Sequence, residues 1–528
     1  MIAMDRSAVA PLAGAEVQEE IELLSCREAY SDPTDRVECI ETHISWVFLT
    51  DRRVYKLKKP VRFDFLDYST VQRRKQACEA EVQLNRRLAP HTYLGVLPVI
   101  RNRFGRLQLG GSGATVDWVV AMRRLNADRS LEALICSGRI TPSQVAQLAD
   151  RLADFYRRLP PLTIRAQEYR QRIEAHVRAN HAVLCAAVDK LDVAALKRLY
   201  SRQLRVLSFQ PEWLENRVCD GRVVEGHGDL RPDHIYFQPG PIVIDCIEFN
   251  AEFRQLDVLD ELSFLAMECD LRQVGWIGRQ VLERYRQTND DRPPDGLLAF
   301  YKCYRATVHA KVAALRAAQH PADAQAAWDQ ARQYVHLADS YAADLGPPLL
   351  VVMRGPAGCG KSSVAAGLSE RLGLEVLQTD SIRHELFPAA ERAPQRGDVY
   401  GEGNRGRVYH ELLRRAERQM DQQLSLVLDG TFGSPRWLTA ALAAGTSRHF
   451  ATLVVDCRCP DEVALKRIAD RLQAGGAVSE ATPDVYRRQR QAFESLPEGL
   501  PVCRLNTAHS LPALLARVHK RLRGILPA

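Results

Sequence analysis

The sequence predicts an α/β protein built from two domains of different architecture. Its 528 residues exceed what a single hydrophobic core usually serves. A Gly-Pro-Pro break at residues 346–348 ends a long helical region and opens a strand. Beyond it strands alternate with helices, and the strands at 349–353, 425–428 and 452–455 are nearly continuous apolar runs. Because strands buried on both faces have this composition, we expect a parallel sheet of about five strands there.

The first domain is predicted at residues 21–345 and the second at 346–528, after a loose tail of small and acidic residues at 1–20. Two β-rich segments, 46–49 and 54–57, flank a polar turn and predict a hairpin. The other predicted elements of this domain are strands at 96–100 and 118–122, helices at 70–88, 142–159, 164–188 and 193–207, a strand–loop–strand unit at 223–247, and helices across 257–345.

Composition excludes several classes of protein. No run of 18 apolar residues occurs, so we expect no membrane span. Residues 1–20 lack a basic segment followed by an apolar stretch, so we expect no secretory signal, and the 13 scattered cysteines fit a reducing, cytoplasmic environment. The net charge of +7 comes without any basic run interleaved with aromatics, which argues against a nucleic-acid surface.

A phosphate-binding loop opens the second domain. Residues 355–362 match the pattern G-x-x-x-x-G-K-[ST] in full, between an apolar strand and a helix. The glycines let backbone N–H groups turn toward phosphate oxygens, and the helix N-terminus adds its positive end. In such a loop Lys361 reaches the β- and γ-phosphates of ATP, and Ser362 is a ligand of Mg²⁺. The predicted ATP-binding residues of the loop are Gly355, Gly358, Gly360, Lys361, Ser362 and Ser363.

Five further positions of the second domain predict phosphoryl transfer. Asp380 follows the second strand and is expected to orient and deprotonate an acceptor hydroxyl, or else only to cap the next helix. Arg383, one helical turn later, is expected to hold the acceptor or the transferred group. Asp429 ends the third strand as a predicted Mg²⁺ ligand through water, with a plain turn as the alternative. Arg467 and Arg471 are four residues apart on a predicted helix, where they either donate to ATP phosphates or are ordinary surface arginines.

These motifs resemble the zeta-toxin, polynucleotide-kinase and gluconate-kinase branch of P-loop kinases. The resemblance covers residues 349–522 and rests on the phosphate loop, on Asp380 with Arg383, and on segment 428–432. It implies that a hydroxyl of a small molecule or of a nucleic-acid end is phosphorylated. It implies nothing about which acceptor is used.

A second pair of carboxylates lies in the first domain. Residues 227–235 contain Asp229 in a loop, and Asp245 follows on a strand, which is how protein-kinase-like folds arrange base and metal ligand. Residues 42–341 resemble the aminoglycoside phosphotransferase and choline kinase family, whose catalytic loop is H-G-D-x-x-x-x-N. By that resemblance Asp229 is catalytic, Asp245 binds metal, and the fold is a bilobed, protein-kinase-like one.

The same resemblance assigns ATP contacts upstream. Lys56 is expected to grip the α- and β-phosphates, with Glu81 as the partner that holds it. Lys58 or Lys59 are alternatives for the lysine, and Glu79 is an alternative for the glutamate.

Two departures from the family pattern bear on the first domain. His234 stands where the family has its metal-binding Asn, and imidazole suits Mn²⁺ better than Mg²⁺. Residues 41–45 replace the Gly-rich loop before the lysine strand. The first domain is therefore predicted either to use altered phosphate and metal contacts or to bind a ligand without turnover.

The sequence as a whole predicts an ATP-dependent phosphotransferase acting on a hydroxyl of a small molecule, with the phosphate loop as the principal ATP site. The expected cofactors are ATP and Mg²⁺, with Mn²⁺ as an alternative at the first site. The alternatives are a ligand-sensing pseudokinase domain that regulates the P-loop domain, a kinase of nucleic-acid 5′-hydroxyls, and a plain ATPase. Oligomeric state is not predicted.

Overall fold

The computed structural model of the chain describes residues 15–63, 66–319, 323–387, 401–474 and 481–526. Its contacts divide the chain into two units. Unit 1 comprises Met1–Val183 with Glu212–Ala313, and unit 2 comprises Leu184–Pro211 with Ala314–Ala528. No helix in the described ranges is long and apolar enough to cross a membrane.

A six-stranded antiparallel sheet begins unit 1, with the strand order β1-β2-β3-β8-β6-β7. The predicted hairpin at residues 46–57 is confirmed, because β2 pairs with β3 and Val47 lies opposite Lys56. The strands of this part are β1 (Glu38–Glu41), β2 (Ser45–Leu49), β3 (Arg53–Lys58), the short β4 (Arg62–Phe63) and β5 (Leu66–Asp67), β6 (Tyr93–Arg101), β7 (Leu107–Leu109) and β8 (Ala114–Arg123).

Two helices accompany this sheet. Helix α1 (Ala15–Ser25) buries Val17 and Leu24 against the aromatic residues of β2 and β3, so residues 15–20 are helical rather than part of a loose tail. Residues 1–14 of the expected tail lie outside the described residues. Helix α2 (Val71–Asn85) begins at Thr70, whose side chain accepts a hydrogen bond from the backbone N–H of Arg73 and caps the helix.

The rest of unit 1 is mostly helical and contains two short antiparallel pairs of strands. β9 (Val223–Glu225) pairs with β12 (Gln255–Asp257), and β10 (Ile235–Phe237) pairs with β11 (Pro241–Val243). The helices are α3 (Leu131–Cys136), α4 (Pro142–Arg158), α5 (Ala166–Cys185), α7 (Pro211–Cys219), α8 (Val258–Leu271), α9 (Gly275–Asn289) and α10 (Asp295–Gln319). An antiparallel sheet followed by a helical part is the predicted order, and the protein-kinase-like classification of this unit stays a prediction.

Unit 2 contains a five-stranded, wholly parallel sheet with the order β14-β15-β13-β16-β17, as predicted. Its strands are β13 (Leu349–Arg354), β14 (Glu375–Gln378), β15 (Leu426–Asp429), β16 (Ala451–Arg458) and β17 (Val502–Asn506). Its helices are α6 (Val193–Phe209), α11 (Ala324–Ala342), α12 (Lys361–Leu372), α13 (Thr379–Leu386), α14 (Glu402–Asp421), α15 (Pro435–Thr446), α16 (Asp461–Ala474), α17 (Pro483–Gln491) and α18 (Leu511–Arg523).

The central strand β13 is buried on both faces. Its residues alternate between two cores: Val351 packs with side chains of α12 and α18, and Val352 packs with side chains of α14 and α15. Alternate side chains of a strand point to opposite faces, so helices on both sides of the sheet explain the continuous apolar run of β13.

Unit 2 begins earlier in the chain than the predicted boundary at residue 346, since it also includes α6 and α11. Arg198 of α6 pairs with Asp339 of α11 at 2.7 Å. Ser201 of α6 donates to the carbonyl of Leu372 at the end of α12, at 2.9 Å. Both helices were expected in the first domain, and the difference arises because their apolar faces have partners in unit 2.

A buried ion cluster fixes the helical part of unit 1. Arg217 of α7 donates to Asp257 at 2.7 Å and to Asp291 at 2.8 Å, and the hydroxyl of Tyr301 donates to Asp257 at 2.9 Å. Arg217, Asp257 and Asp291 are all at most 4% exposed. The guanidinium therefore compensates two carboxylates that have little access to water.

We predict that Arg217→Met destabilises unit 1 by about 3–5 kcal/mol, because it leaves two buried carboxylates without a counter-charge. Urea unfolding followed by circular dichroism measures the loss. The matched control is Arg292→Met, whose partner Asp290 forms an ion pair with side chains 87% and 81% exposed, and which should change stability by at most about 1 kcal/mol. Equal effects of the two substitutions would contradict the prediction.

Candidate functional site

The loop at residues 355–360 turns tightly between β13 and α12. Gly355 and Gly358 have φ angles of +146° and +72°. A Cβ at Gly355 would lie 2.4 Å from the carbonyl oxygen of Cys457, and one at Gly358 would lie 2.6 Å from that of Ala464. Only glycine fits this close approach of backbone to backbone, and the turn leaves space in which N–H groups can surround a phosphate. Gly360, at φ +71°, is the N-cap of α12.

Three predicted side chains converge where this loop meets the sheet. Lys361 donates to the carbonyl of Pro356 at 2.9 Å, and Ser362 and Ser363 are exposed on the first turn of α12. Asp429 is the last residue of β15 and pairs in register with Met353 of β13. Burial raises the pKa of Asp429, while the charge of Lys361 and a hydrogen bond with Ser362 lower it. Asp429 thus lies beside both residues rather than in a detached turn.

Asp380, on the first turn of α13, forms an ion pair with Arg383 one turn later. The N-cap of this helix is Gln378, so Asp380 is not the capping residue. The charge of Asp380 contributes to the raised pKa of Asp429, which places Asp380 within electrostatic reach of the loop. The structure therefore brings all of the predicted catalytic residues of unit 2 to the carboxyl edge of the sheet.

Of the two arginines on α16, Arg467 lies at the loop. Its guanidinium donates to Thr507, at 2.7 Å to the carbonyl, and a Cβ at Gly360 would lie 3.3 Å from its Nη1. Arg471, one turn further, donates to the carbonyl of Ala481 at 2.9 Å. The predicted pair is thus divided: Arg467 borders the phosphate loop, and Arg471 holds the start of the segment that leads into α17.

Sequence reasoning missed a cavity of about 210 Å³ beside Arg383. Arg405 and Tyr409 line it from α14, Trp437 from α15 and Arg488 from α17. Arg405 and Tyr409 are four residues apart, and that helical spacing was the available indication that they share a face. Burial raises the pKa of Tyr409 to about 12, and the charges of Arg405 and Arg383 act against this rise.

Gln489 was also missed. It follows Arg488 on α17, and its Oε1 accepts a hydrogen bond of 2.8 Å from the backbone N–H of Ala357 in the phosphate loop. A side-chain oxygen thus meets one of the loop N–H groups that a phosphate oxygen would otherwise meet.

In unit 1 the structure brings Lys56 to two carboxylates. Its ammonium lies 3.0 Å from Glu81 of α2 and 2.7 Å from Asp245. Burial raises the pKa of Asp245, but the charges of Lys56 and His234 outweigh it and hold this pKa well below its usual range. The backbone N–H of Asp245 donates to the hydroxyl of Tyr93 at 3.1 Å, and the backbone of Asp245 is left-handed, at φ +64°.

The alternative residues for Lys56 and Glu81 differ from them in the ion pairs that they form. Lys58 is buried and lies 2.6 Å from Glu81, and it also pairs with Glu248. Lys59 pairs with Glu41 instead, and Glu79 lies 3.6 Å from Lys75. Glu81 therefore holds two lysines, of which Lys56 alone is in contact with Asp245 among the described ion pairs. Sequence reasoning did not identify Glu248.

The loop that carries Asp229 is set by two histidines. Burial lowers the pKa of His227 to about 4, so its ring is neutral near pH 7. Its Nε2 donates to the carbonyl of Ile244 at 2.9 Å, and its Nδ1 accepts from the N–H of Asp229 at 3.3 Å. His234 Nδ1 donates to the carbonyl of Asp229 at 2.9 Å, which directs Nε2 toward Asp245, at 3.6 Å.

A buried glutamate, which the sequence analysis did not predict, accepts hydrogen bonds from the backbone of this loop. Glu261 of α8 accepts from the backbone N–H groups of His227, at 2.9 Å, and of Gly228. The hydroxyl of Tyr156 donates to the same carboxylate at 2.6 Å. These hydrogen bonds of Glu261 fix the position of the loop. Glu261 lies far from the loop in the sequence, so local sequence patterns do not indicate this role.

Neither site provides a complete set of protein ligands for a metal ion among the residues that the structure describes. Across the described ranges, no group of three or more His, Cys, Asp or Glu side chains is arranged to hold a metal ion. Mg²⁺ usually takes one or two protein carboxylates and completes its shell with water and substrate phosphates. Asp429 with Ser362 is an oxygen donor set of that smaller kind, whereas Asp245 with His234 combines one carboxylate with one imidazole nitrogen.

Comparison with known proteins identifies the family. An AAA domain model matches residues 350–496. Rv2004c of Mycobacterium tuberculosis H37Rv and Mb2027c of Mycobacterium bovis are each 31% identical over 459 residues, which cover 85% of this chain and 88% of theirs. A sugar kinase structure from Janibacter sp. HTCC2649 is 19% identical, covers 34% of this chain and 100% of its own, and has a TM-score of 0.29, too low to carry an argument about function. The chain belongs to the same family as Rv2004c and Mb2027c.

Proposed function

We propose that the chain is an ATP-dependent phosphotransferase whose unit 2 transfers a phosphoryl group to a hydroxyl of a small molecule. The observation that carries this proposal is the convergence of Lys361, Ser362 and Asp429 with the Asp380–Arg383 pair at one edge of the sheet. A nucleotide site and an acceptor cavity meet there. The alternative of a plain ATPase explains the phosphate loop but gives the cavity beside Arg383 no role.

The loop residues hold the nucleotide in this proposal. The turned backbone N–H groups of Gly358 and Gly360 and the ammonium of Lys361 bind the β- and γ-phosphates. Oxygen atoms of Ser362 and Asp429 are suitable donors to Mg²⁺, directly or through water. Bound Mg²⁺ neutralises charge on the phosphate oxygens. Arg467, which borders Gly360, adds a cation at the mouth of the loop.

Asp380 and Arg383 act on the acceptor. The carboxylate of Asp380 accepts a hydrogen bond from the acceptor hydroxyl and takes its proton as the oxygen attacks the γ-phosphorus. The guanidinium of Arg383, already paired with Asp380, neutralises charge on the transferred group. Because phosphoryl transfer depends mostly on positioning and charge neutralisation, these fixed contacts account for most of the expected rate enhancement.

We predict that Lys361→Met lowers kcat for phosphoryl transfer by about 10²–10³-fold, because one preorganised cation of the transition state is lost. Transfer from labelled ATP to hydroxylated acceptors measures the rate. Lys466→Met, an exposed lysine on α16, is the matched control and should retain wild-type activity. Full activity of the Lys361 variant would refute the assignment of unit 2 as the kinase.

For unit 1 we propose a second nucleotide site of the aminoglycoside phosphotransferase type. The contact of Lys56 with both Glu81 and Asp245 supports it, since this is the lysine–glutamate pair and metal-ligand arrangement of protein-kinase-like enzymes. Asp229 would position an acceptor hydroxyl. His234, with Nε2 directed at Asp245, would contribute a nitrogen ligand that suits Mn²⁺ better than Mg²⁺.

A regulatory role for unit 1 is the second candidate. The observation that favours it is His234, because a nitrogen donor replaces the oxygen donor that Mg²⁺ requires for turnover. In that case unit 1 binds a nucleotide without transferring phosphate and affects the reaction of unit 2. A kinase of nucleic-acid 5′-hydroxyls has weaker support, since no basic surface was expected from the sequence.

We predict that the full-length protein binds two equivalents of ATP in the presence of Mn²⁺, measured by equilibrium dialysis. Lys56→Met should remove one equivalent, because Asp245 loses the lysine that pairs with it and the phosphates lose their cation, whereas Glu81 keeps Lys58. Lys75→Met on α2, whose lysine pairs with Glu79, is the control and should bind two. A wild-type stoichiometry of one that Lys56→Met leaves unchanged would exclude a nucleotide site in unit 1.

A further inference from the structure

Two cysteine thiols meet at the phosphate loop of unit 2. Cys359 is the fifth residue of the loop, and Cys459 lies between the end of β16 and the start of α16. Their sulfur atoms are 3.8 Å apart, although the two residues are 100 positions apart in the sequence, and both are free thiols. Sulfur atoms in a disulfide are about 2.05 Å apart, so an approach of about 1.8 Å would bring this pair to bonding distance.

The two thiols differ in their access to water. Cys359 is 2% exposed and packs in the core between the sheet and helices α12 and α18. Burial and the neighbouring Cys459 raise the pKa of the Cys359 thiol to about 12, although the charge of Lys361 acts against this rise. Cys459 is half-buried at the edge of the same core. A dissolved reagent therefore reaches Cys459 first, and Cys359 is the thiol beside it.

The backbone around Cys459 is fixed on both sides. The carbonyl of Arg458, the last residue of β16, accepts a hydrogen bond of 2.8 Å from the N–H of Thr507. The carbonyl of Pro460 accepts one of 3.0 Å from the N–H of Val463 in the first turn of α16. Most of the movement that a disulfide requires therefore falls on the phosphate loop.

Cys359 lies between the two glycines that turn the loop. Gly358 and Gly360 have φ angles of +72° and +71°. A Cβ at Gly358 would lie 2.6 Å from the carbonyl oxygen of Ala464, so the loop already touches α16 and has little room to shift as a whole. Because the loop cannot shift as a unit, movement of the Cys359 sulfur toward Cys459 rotates the backbone at the flanking glycines and changes the directions of their N–H groups.

We propose that Cys359 and Cys459 form a reversible disulfide, and that this bond weakens nucleotide binding at the phosphate loop. The bond itself follows from the positions of the two sulfur atoms, whereas its effect on binding rests on the proposed function of unit 2. The N–H groups of Gly358 and Gly360 and the ammonium of Lys361 must point at the same phosphates. Rotation of the backbone between them removes some of these contacts, so the oxidised chain binds ATP more weakly.

The bond forms by two exchange steps with a small disulfide such as oxidised glutathione. The thiolate of Cys459 attacks one glutathione sulfur, the glutathione disulfide breaks, and one glutathione leaves. The thiolate of Cys359 then attacks the sulfur of Cys459 and releases the second glutathione. Each cysteine loses one proton and each departing glutathione gains one, so two protein thiols are oxidised and one disulfide is reduced. The high pKa of Cys359 makes the second step slow, because little of this thiol is ionised.

Peptide mapping of the full-length protein tests the bond directly. After treatment with oxidised glutathione and blocking of the remaining thiols, we expect two tryptic peptides joined by a bond that dithiothreitol breaks. Cleavage after Arg and Lys places the three cysteines of this region, Cys359, Cys457 and Cys459, on the separate peptides 355–361, 449–458 and 459–466. Joining of the first peptide to the third supports the proposal. Joining of the first to the second, or only a glutathione adduct on the third, overturns it.

Equilibrium dialysis with Mg·ATP measures the effect on binding, in the Lys56→Met chain so that the proposed site of unit 1 does not contribute. We expect oxidation to raise the Kd about 10- to 100-fold, because charge-assisted hydrogen bonds to the phosphates are lost, and dithiothreitol to restore it. With Cys459→Ser added, the Kd should be equal before and after oxidation. Cys219→Ser, which removes an exposed cysteine on α7, is the matched control and should leave the response to oxidation intact. An unchanged Kd in the joined protein, or a loss that persists in Cys459→Ser, overturns the proposal.

Thermodynamic linkage gives an independent measurement. If the disulfide weakens ATP binding by a given factor, saturating ATP lowers the equilibrium constant for disulfide formation by the same factor. In a buffer of reduced and oxidised glutathione, Mg·ATP should therefore shift this constant about 10- to 100-fold toward the two thiols. No shift would show that the bond and the nucleotide are independent, which overturns the proposal.

Failure of the proposed function gives a different result. Reduced protein that binds ATP, loses binding on oxidation and transfers no phosphoryl group to any hydroxyl would reject the transferase function and retain the thiol pair. Phosphoryl transfer at an unchanged rate in protein whose peptides 355–361 and 459–466 are joined would retain the kinase function and overturn the effect of the disulfide.

Discussion

A buried arginine at the end of β13 is the interaction on which the site of unit 2 depends. Arg354, 1% exposed, donates to the carbonyl of Phe432 at 3.1 Å and to that of Glu494, and it lies 3.3 Å from Asp456. Arg354 directly precedes the phosphate loop, and these contacts link that position to the segment after β15, to β16 and to the segment after α17. Its removal would leave the buried Asp456 with Arg458, at 2.9 Å, as its remaining arginine among the described ion pairs, and it would release the carboxyl edge of the sheet.

The ion cluster around Lys56 and Lys58 in unit 1 contains more negative than positive groups. Lys56 and Lys58 face three carboxylates, those of Glu81, Asp245 and Glu248. Two positive and three negative groups leave one negative charge, with Glu81 and Glu248 buried and the side chain of Asp245 43% exposed. A bound cation beside Asp245 would restore neutrality and lower the cost of burying the carboxylates.

The sequence predicted most elements of both units but not all their partners. The parallel sheet followed from continuous apolar runs, and the hairpin followed from two β-rich segments around a polar turn. The helical spacing of residues 193–207 and 324–342 shows that an apolar face exists, but amphipathic spacing does not identify the surface that covers it. Helix α1 was missed because its apolar residues are few and gain their stability from the aromatic residues of β2 and β3.

By itself the sequence determined the residues whose chemistry is local: the phosphate loop with Lys361 and Ser362, and the pairing of Asp380 with Arg383 one helical turn apart. Short spacing fixes such groups because a loop or a single helical turn positions them. Only the tertiary structure decided that Glu81 serves two lysines, that Glu261 supports the loop of Asp229, and that Arg405 and Arg488 share a cavity. These residues lie far apart in the chain, and their distances depend on the packing of whole helices and strands, which local patterns do not specify.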